Sequence, residues 1–232
     1  MCFSAAASFS SSALLVPLGI TAVARSWRDH RPELLPLALM PVLFGLQQGL
    51  EGVVWLGLHH GPAAPLLKGG ALAYQFFALA FWPIWIPYVA LSLWPQQRHW
   101  PGRPLLGTLQ GAGLVLGIGL WLPLLLQPTR IEPVVLKGSI DYGLTLLMSG
   151  GLAESIRYLY AAVIGLPLLL LPYAWLRSFG VALLASGLVA EWAYRQAFLS
   201  VWCYLSAVLS VLIVWIIYTK RLPTKGQAKA AS

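Results

Sequence analysis

A carboxylate, two amides and an indole fall at helical spacing in the run Gln47-Gln48-Gly49-Leu50-Glu51-Gly52-Val53-Val54-Trp55. At about 100° per residue, Gln47, Gln48, Glu51 and Trp55 share one side of a helix. Gly45, Gly49 and Gly52 lie on the adjacent side, where glycines let a second helix approach closely. A carboxylate at membrane depth can hold a cation or a proton, and the amides can orient a solute around it. The competing reading is an interhelical hydrogen-bond clamp that only fixes packing. Gln75, at the outer start of the next apolar segment, is at a similar depth. Glu191 and Arg195 follow at i, i+4 spacing and can pair with each other. Arg195 has two alternatives, to snorkel to the interface or to reach Glu51. Gln47, Gln48, Glu51, Trp55, Gln75, Glu191 and Arg195 are the candidate ligand-binding residues; no residue is assigned a catalytic role.

The remaining reactive groups are sparse. Cys2 and Cys203 both map to outer helix ends, as a disulfide or thiol pair, a shared metal site, or two inert thiols. Ser4, Ser8 and Ser11 share one helix face, and Cys203, Ser206 and Ser210 share another; such stripes read as packing surfaces. His30 and His99 fall in inner loops and His59 and His60 in an outer one, so no histidine is inside a span. That argues against a haem held by two histidines and against a ceramidase-like zinc hydrolase. The last span has no lysine before Lys220, which argues against a retinal Schiff base. No Gly-x-Ser-x-Gly, His-Glu-x-x-His or phosphate loop occurs. No cofactor is expected.

These residues need a scaffold that accepts them in an apolar setting. The chain is 59% hydrophobic and 9% charged, against roughly 25% charged in a soluble domain. Lipid can solvate such a surface and water cannot. Seven segments have the roughly 20 apolar residues that a transmembrane helix needs: 4–24, 34–58, 70–94, 105–126, 155–176, 178–197 and 199–219. The expected fold is therefore an all-α bundle of seven transmembrane helices over 1–220, with a disordered tail over 221–232.

With the N-terminus outside, ten basic residues are inside: Arg25, Arg28, Arg31, Arg98, Arg103, Arg177, Lys220, Arg221, Lys225 and Lys229. The outer side holds Lys68, Arg130 and Lys137, with Arg157 near a helix start. Positive-inside bias selects this orientation. The same dispersion explains the net charge of +8 without a nucleic-acid partner. No Lys or Arg precedes residue 25, so the first segment is expected to persist in the mature protein. In the one long connection, 127–154, Pro133–Tyr142 reads as two extended runs around Lys137-Gly138, an outer β-hairpin.

The start Met1-Cys2-Phe3-Ser4-Ala5, the run Gln47-Gln48-x-x-Glu51-Gly52-x-x-Trp55 and Ser200-Val201-Trp202-Cys203 resemble a bacterial family of uncharacterised integral membrane proteins, a domain of unknown function. The resemblance covers the whole chain. It implies a bacterial multi-pass protein, here of the cytoplasmic membrane, and no activity. Three functional classes stay open. The first is a transporter or binding protein for a small solute, with Glu51 taking the solute's cation or a coupling proton and Trp55 walling the pocket. The second is an accessory or sensor subunit, as a homo-oligomer or with a membrane partner protein. The third is a redox or lipid-modifying enzyme using the cysteines or the glutamates.

Overall fold

The computed structural model describes residues 4–60, 65–95, 102–136, 138–143 and 151–219. Among them the helices are α1 (Ala5–Arg28), α2 (Leu35–Ala38), α3 (Met40–His60), α4 (Pro65–Gln75), α5 (Trp82–Ser92), α6 (Gly102–Leu126), α7 (Gly151–Leu170), α8 (Ala174–Ala193), α9 (Phe198–Leu209) and α10 (Val211–Thr219). A π-helical turn, Phe76–Phe81, joins α4 to α5. The terminal Cys2 and the tail from residue 220 lie outside the described residues.

Local chemistry accounts for the helix ends. Ser4 caps α1, its Oγ accepting the Ala7 N–H at 3.2 Å. At the other end His30 adopts the left-handed conformation, φ 52°. Its N–H reaches the Trp27 carbonyl, and the Arg31 N–H reaches that of Ser26. This doubly bonded reversal satisfies two end carbonyls. Pro36 and Pro41 interrupt the next segment, so the chain enters it through a 3₁₀ turn, Pro32–Leu34, and the short α2 before α3 runs unbroken. Between α9 and α10 the Ser210 hydroxyl donates to the Ala207 carbonyl at 2.6 Å, the back-bonding that loosens and bends a helix.

Among the described residues, six helical stretches are long and apolar enough to cross a membrane: Ala5–Arg28, Pro32–His59, Leu66–Ser92, Gly102–Leu126, Ala174–Ala193 and Arg195–Thr219. Seven segments were expected. The remaining one is present as α7, which carries Glu154 and Arg157 in its first turns and is not among the six. The outward faces suit lipid, with Val115 74% and Leu188 73% exposed.

α1 packs against α3 through the glycines that the sequence pointed to. A Cβ on Gly45 would stand 2.7 Å from Val16 Cγ2, and one on Gly52 would stand 2.8 Å from the Phe9 ring. Neither position has room for a side chain.

The expected hairpin is present. β1 (Val134–Leu136) pairs antiparallel with β2 (Ser139–Asp141), with Val135 opposite Ile140. β1 lies on the surface, while Ser139, Ile140 and the following Tyr142 are buried. Ile140 and Tyr142 belong to a small apolar cluster with Val54, Trp55, Tyr74 and Cys203. The hairpin therefore closes over one end of α3, α4 and α9. A larger core centred on Trp82, Ile86 and Phe179 fills the rest of the bundle.

Candidate functional site

The polar side of α3 points inward as a unit. Gln47 and Gln48 are fully buried, and Glu51 and Trp55 nearly so. The Trp82 indole donates to Gln47 Oε1 at 2.7 Å, and Trp82 itself stacks on Phe44 at 3.8 Å. Glu51 accepts a hydrogen bond from the Ser200 hydroxyl. The buried Gln48 amide lies beside the Glu51 carboxylate as a second polar neighbour. The Cys203 thiol lies one turn of α9 below Ser200, beside the Gln47 amide and the Tyr74 hydroxyl. Tyr74 stacks face to face on Tyr142 at 4.9 Å, so the hairpin forms the roof of this cluster.

α4 presents Tyr74 to Cys203. Gln75 lies one residue and about 100° further round; it is buried with neither amide atom hydrogen-bonded. The π turn begins directly after it. Such turns free a carbonyl from the helical ladder and are frequent at functional sites. Here the Ala78 carbonyl accepts the hydroxyl of Tyr160 from α7.

Glu191 and Arg195 are not part of the buried cluster. They belong to a four-residue ion network at the first turns of α7 and the last turn of α8. Arg157 Nη1 contacts Glu191 Oε1 at 3.0 Å, Arg195 Nε contacts the same oxygen at 3.3 Å, and Arg195 Nη2 reaches Glu154 at 3.1 Å. The i, i+4 pairing is thus present. The alternative in which Arg195 reaches Glu51 is not realised, because Glu154 and Glu191 hold the guanidinium at the surface with its side chain 64% exposed.

A cavity of about 100 Å³ is lined by Arg157 and Arg195 of the ion network and by Ser200, the partner of Glu51. Asp141, Tyr142 and Tyr160 also line it. Leu79, Ile140 and Phe198 supply apolar wall. The space is several times what one water requires. Burial pushes the Tyr142 phenol well above its ordinary value, with the nearby Glu51 carboxyl adding to the effect, so Tyr142 faces the cavity as a neutral group.

Ser200, Tyr74, Tyr142, Trp82 and Arg157 complete the site and were not among the sequence candidates. One signal was available for Ser200: its i, i+3 spacing to Cys203 puts both on one helix face. Tyr142 reaches the site by a chain reversal that no periodicity reports.

The model of a family of unknown function, DUF6629, matches residues 1–229. The chain belongs to this family. The match spans both the α3 motif and the Ser200–Cys203 motif, the two segments whose side chains meet at Glu51. No curated protein and no solved structure matches it.

Proposed function

We propose that this member of the DUF6629 family is a seven-span protein of a bacterial cytoplasmic membrane. Its N-terminus is outside, its C-terminus is inside, and it binds or carries a small solute in the outer half of the bundle. α7 supplies the seventh span, which returns the C-terminus to the side rich in Lys and Arg.

One observation carries the reading. The cavity lined by Arg157, Arg195 and Asp141 is also lined by Ser200, whose hydroxyl is bonded to the buried Glu51 carboxylate. A clamp that only fixed packing would use up its hydrogen-bonding groups. Instead both amide atoms of the buried Gln75, next to Tyr74, have no hydrogen-bond partner among the described residues, a state that costs about 1–3 kcal/mol per buried group. Glu51 takes the solute's cationic group or a coupling proton, Gln48 and Ser200 orient it, and Tyr142 and Trp55 wall the pocket. Transport requires a bend, and the span Leu66–Ser92 contains a π turn followed by Pro83 and Pro87.

Native mass spectrometry of the protein from its own membranes in mild detergent, wild type against Glu51→Gln, tests this. A small species carried by the wild type and lost in the variant is the expected result. Identical spectra for the two proteins, with lipid as the only adduct, would remove the solute role of Glu51.

A further inference from the structure

The buried polar groups in the cavity wall share one hydrogen-bonding sense. The Ser200 hydroxyl donates its hydrogen to Glu51, and the Tyr160 hydroxyl donates its own to the Ala78 carbonyl. Each oxygen keeps lone pairs for an occupant and has no hydrogen left to offer. The Tyr142 hydroxyl, on a residue 2% exposed, has no partner among the described residues. All three line the cavity together with Asp141. Asp141 accepts the Gly143 N–H on Oδ1 at 2.9 Å and makes no ion pair among the described residues. A carboxylate has about four lone-pair sites, so most of its capacity is open.

Charge at the wall has the same bias. Arg157 and Arg195 also line the cavity, but Glu191 and Glu154 pair with them. Those four charges cancel, and Asp141 leaves an excess of negative charge, with the Glu51 carboxyl behind Ser200. Much of the remaining wall is apolar, from Leu79, Ile140, Ile156 and Phe198. A bare metal ion gains nothing from such a surface, whereas an alkyl group does. The volume of about 100 Å³ equals roughly three waters at their liquid share of about 30 Å³, so the occupant has only a few heavy atoms.

We infer that the occupant is a small primary alkylammonium ion. Its ammonium group is held by the Asp141 carboxylate and by hydroxyl oxygens of the wall, and its alkyl part lies against the apolar side chains. An ammonium has three donors and no acceptor, the complement of a wall whose buried hydroxyls accept. Aromatic rings of the kind that Tyr142, Tyr160 and Phe198 supply also attract cations. This rests on the pocket reading above and narrows the solute to one chemical class. It also adds Asp141, on the hairpin, as a binding residue.

The test is equilibrium dialysis of radiolabelled ethylammonium against the full chain in lipid nanodiscs, wild type against Asp141→Asn. The amide oxygen of that variant still accepts the Gly143 N–H, and only the charge is removed. Wild type should bind saturably, and the variant should bind about tenfold more weakly, the order of one lost hydrogen bond to a charged group. Competition on the wild type alone keeps the outcome independent of how the variant folds. Excess propylammonium should displace the label, while ethanol, sodium and acetate should not. Absence of saturable binding overturns the inference, and so does equal affinity in Asp141→Asn. Displacement by sodium assigns the site to an inorganic cation, and displacement by ethanol or acetate removes the need for a positive charge; either result overturns it. If the wild type carries a neutral or anionic species that is lost in Glu51→Gln, the alkylammonium inference falls and the pocket reading stands. If ethylammonium binds through Asp141 and Glu51→Gln neither weakens it nor changes any bound species, the solute role of Glu51 falls and the Asp141 site remains.

Discussion

Ser200 donates its hydroxyl hydrogen to Glu51 across 149 positions of sequence, and this bond ties α9 to the middle of α3. Ser200 also forms part of the wall of the cavity, so one side chain joins the buried carboxylate to the space beside it. Removing the donor leaves a buried carboxyl group without it. Ser200→Ala is therefore expected to destabilise the bundle by about 1–3 kcal/mol, read as a lowered thermal midpoint in detergent. Ser200→Thr keeps the hydroxyl and should recover most of that stability. An unchanged midpoint in Ser200→Ala would refute the weight given to this bond.

The α1–α3 seam makes a second prediction from sterics alone. Gly45→Leu and Gly52→Leu each force atoms into Val16 or Phe9, and overpacking of this kind costs about 1–3 kcal/mol. Gly107→Ala is the control, because a Cβ there meets nothing within 4 Å. It should be neutral or gain up to about 1 kcal/mol from helix propensity. Comparable loss in all three variants, measured by thermal unfolding in detergent, would contradict the packing described.

The hairpin roof depends on Tyr142 lying flat on Tyr74. Tyr142→Ala removes a stacked pair worth about 0.5–1.5 kcal/mol beyond the area it buries. Residues next to the hairpin should then open more often. Arg130 is exposed while Ile131 after it is 3% exposed, so trypsin cleavage after Arg130 is expected to speed up in the variant. Equal cleavage rates for wild type and variant would show that the stack does not hold the hairpin down.

A pH effect follows from the same residue. Burial raises the Tyr142 phenol well above its ordinary value, which in an unfolded chain is about 10. Above that pH the unfolded chain gives up the proton while the folded one keeps it, so the folded state binds more protons and stability falls as pH rises. The stabilisation is present in full below about pH 10 and declines above it. Tyr142→Phe should unfold with a shallower pH dependence between about 10 and 11. Identical slopes for the two proteins would contradict a buried, neutral phenol.

The orientation is tested by reporter fusions. A phosphatase fused after Arg130 should be active, since it is exported, and one fused after Thr219 should be inactive; a fluorescent protein that folds only inside should show the reverse pattern. Export at Thr219 would invert the topology or change the number of spans.

Much of the α3 site was legible in the sequence. Helical periodicity alone put Gln47, Gln48, Glu51 and Trp55 on one side and the glycines beside them, and the structure buries the first set and packs α1 on the second. Hydrophobic runs located the helices, and the Lys137-Gly138 turn located the hairpin. Arg195 was the ambiguous residue. Spacing permitted a partner on its own helix or one across the bundle, and only the arrival of α7 with Glu154 and Arg157 decided for the surface network.

The division has a physical cause. Periodicity, turn chemistry and the cost of a charge in lipid are local properties, and they sufficed to mark Glu51 as exceptional and to set the elements around it. Which groups meet Glu51 is a property of helix packing. Ser200 is 149 positions away from it, and Tyr142 arrives on a strand that folds back over α4 and α9. Contacts between distant segments depend on how whole faces interlock, and a residue's neighbours in the chain carry no record of that. The sequence by itself determined a helical membrane bundle with a buried carboxylate; only the tertiary structure decided that this carboxylate is bonded to a hydroxyl in the wall of a cavity.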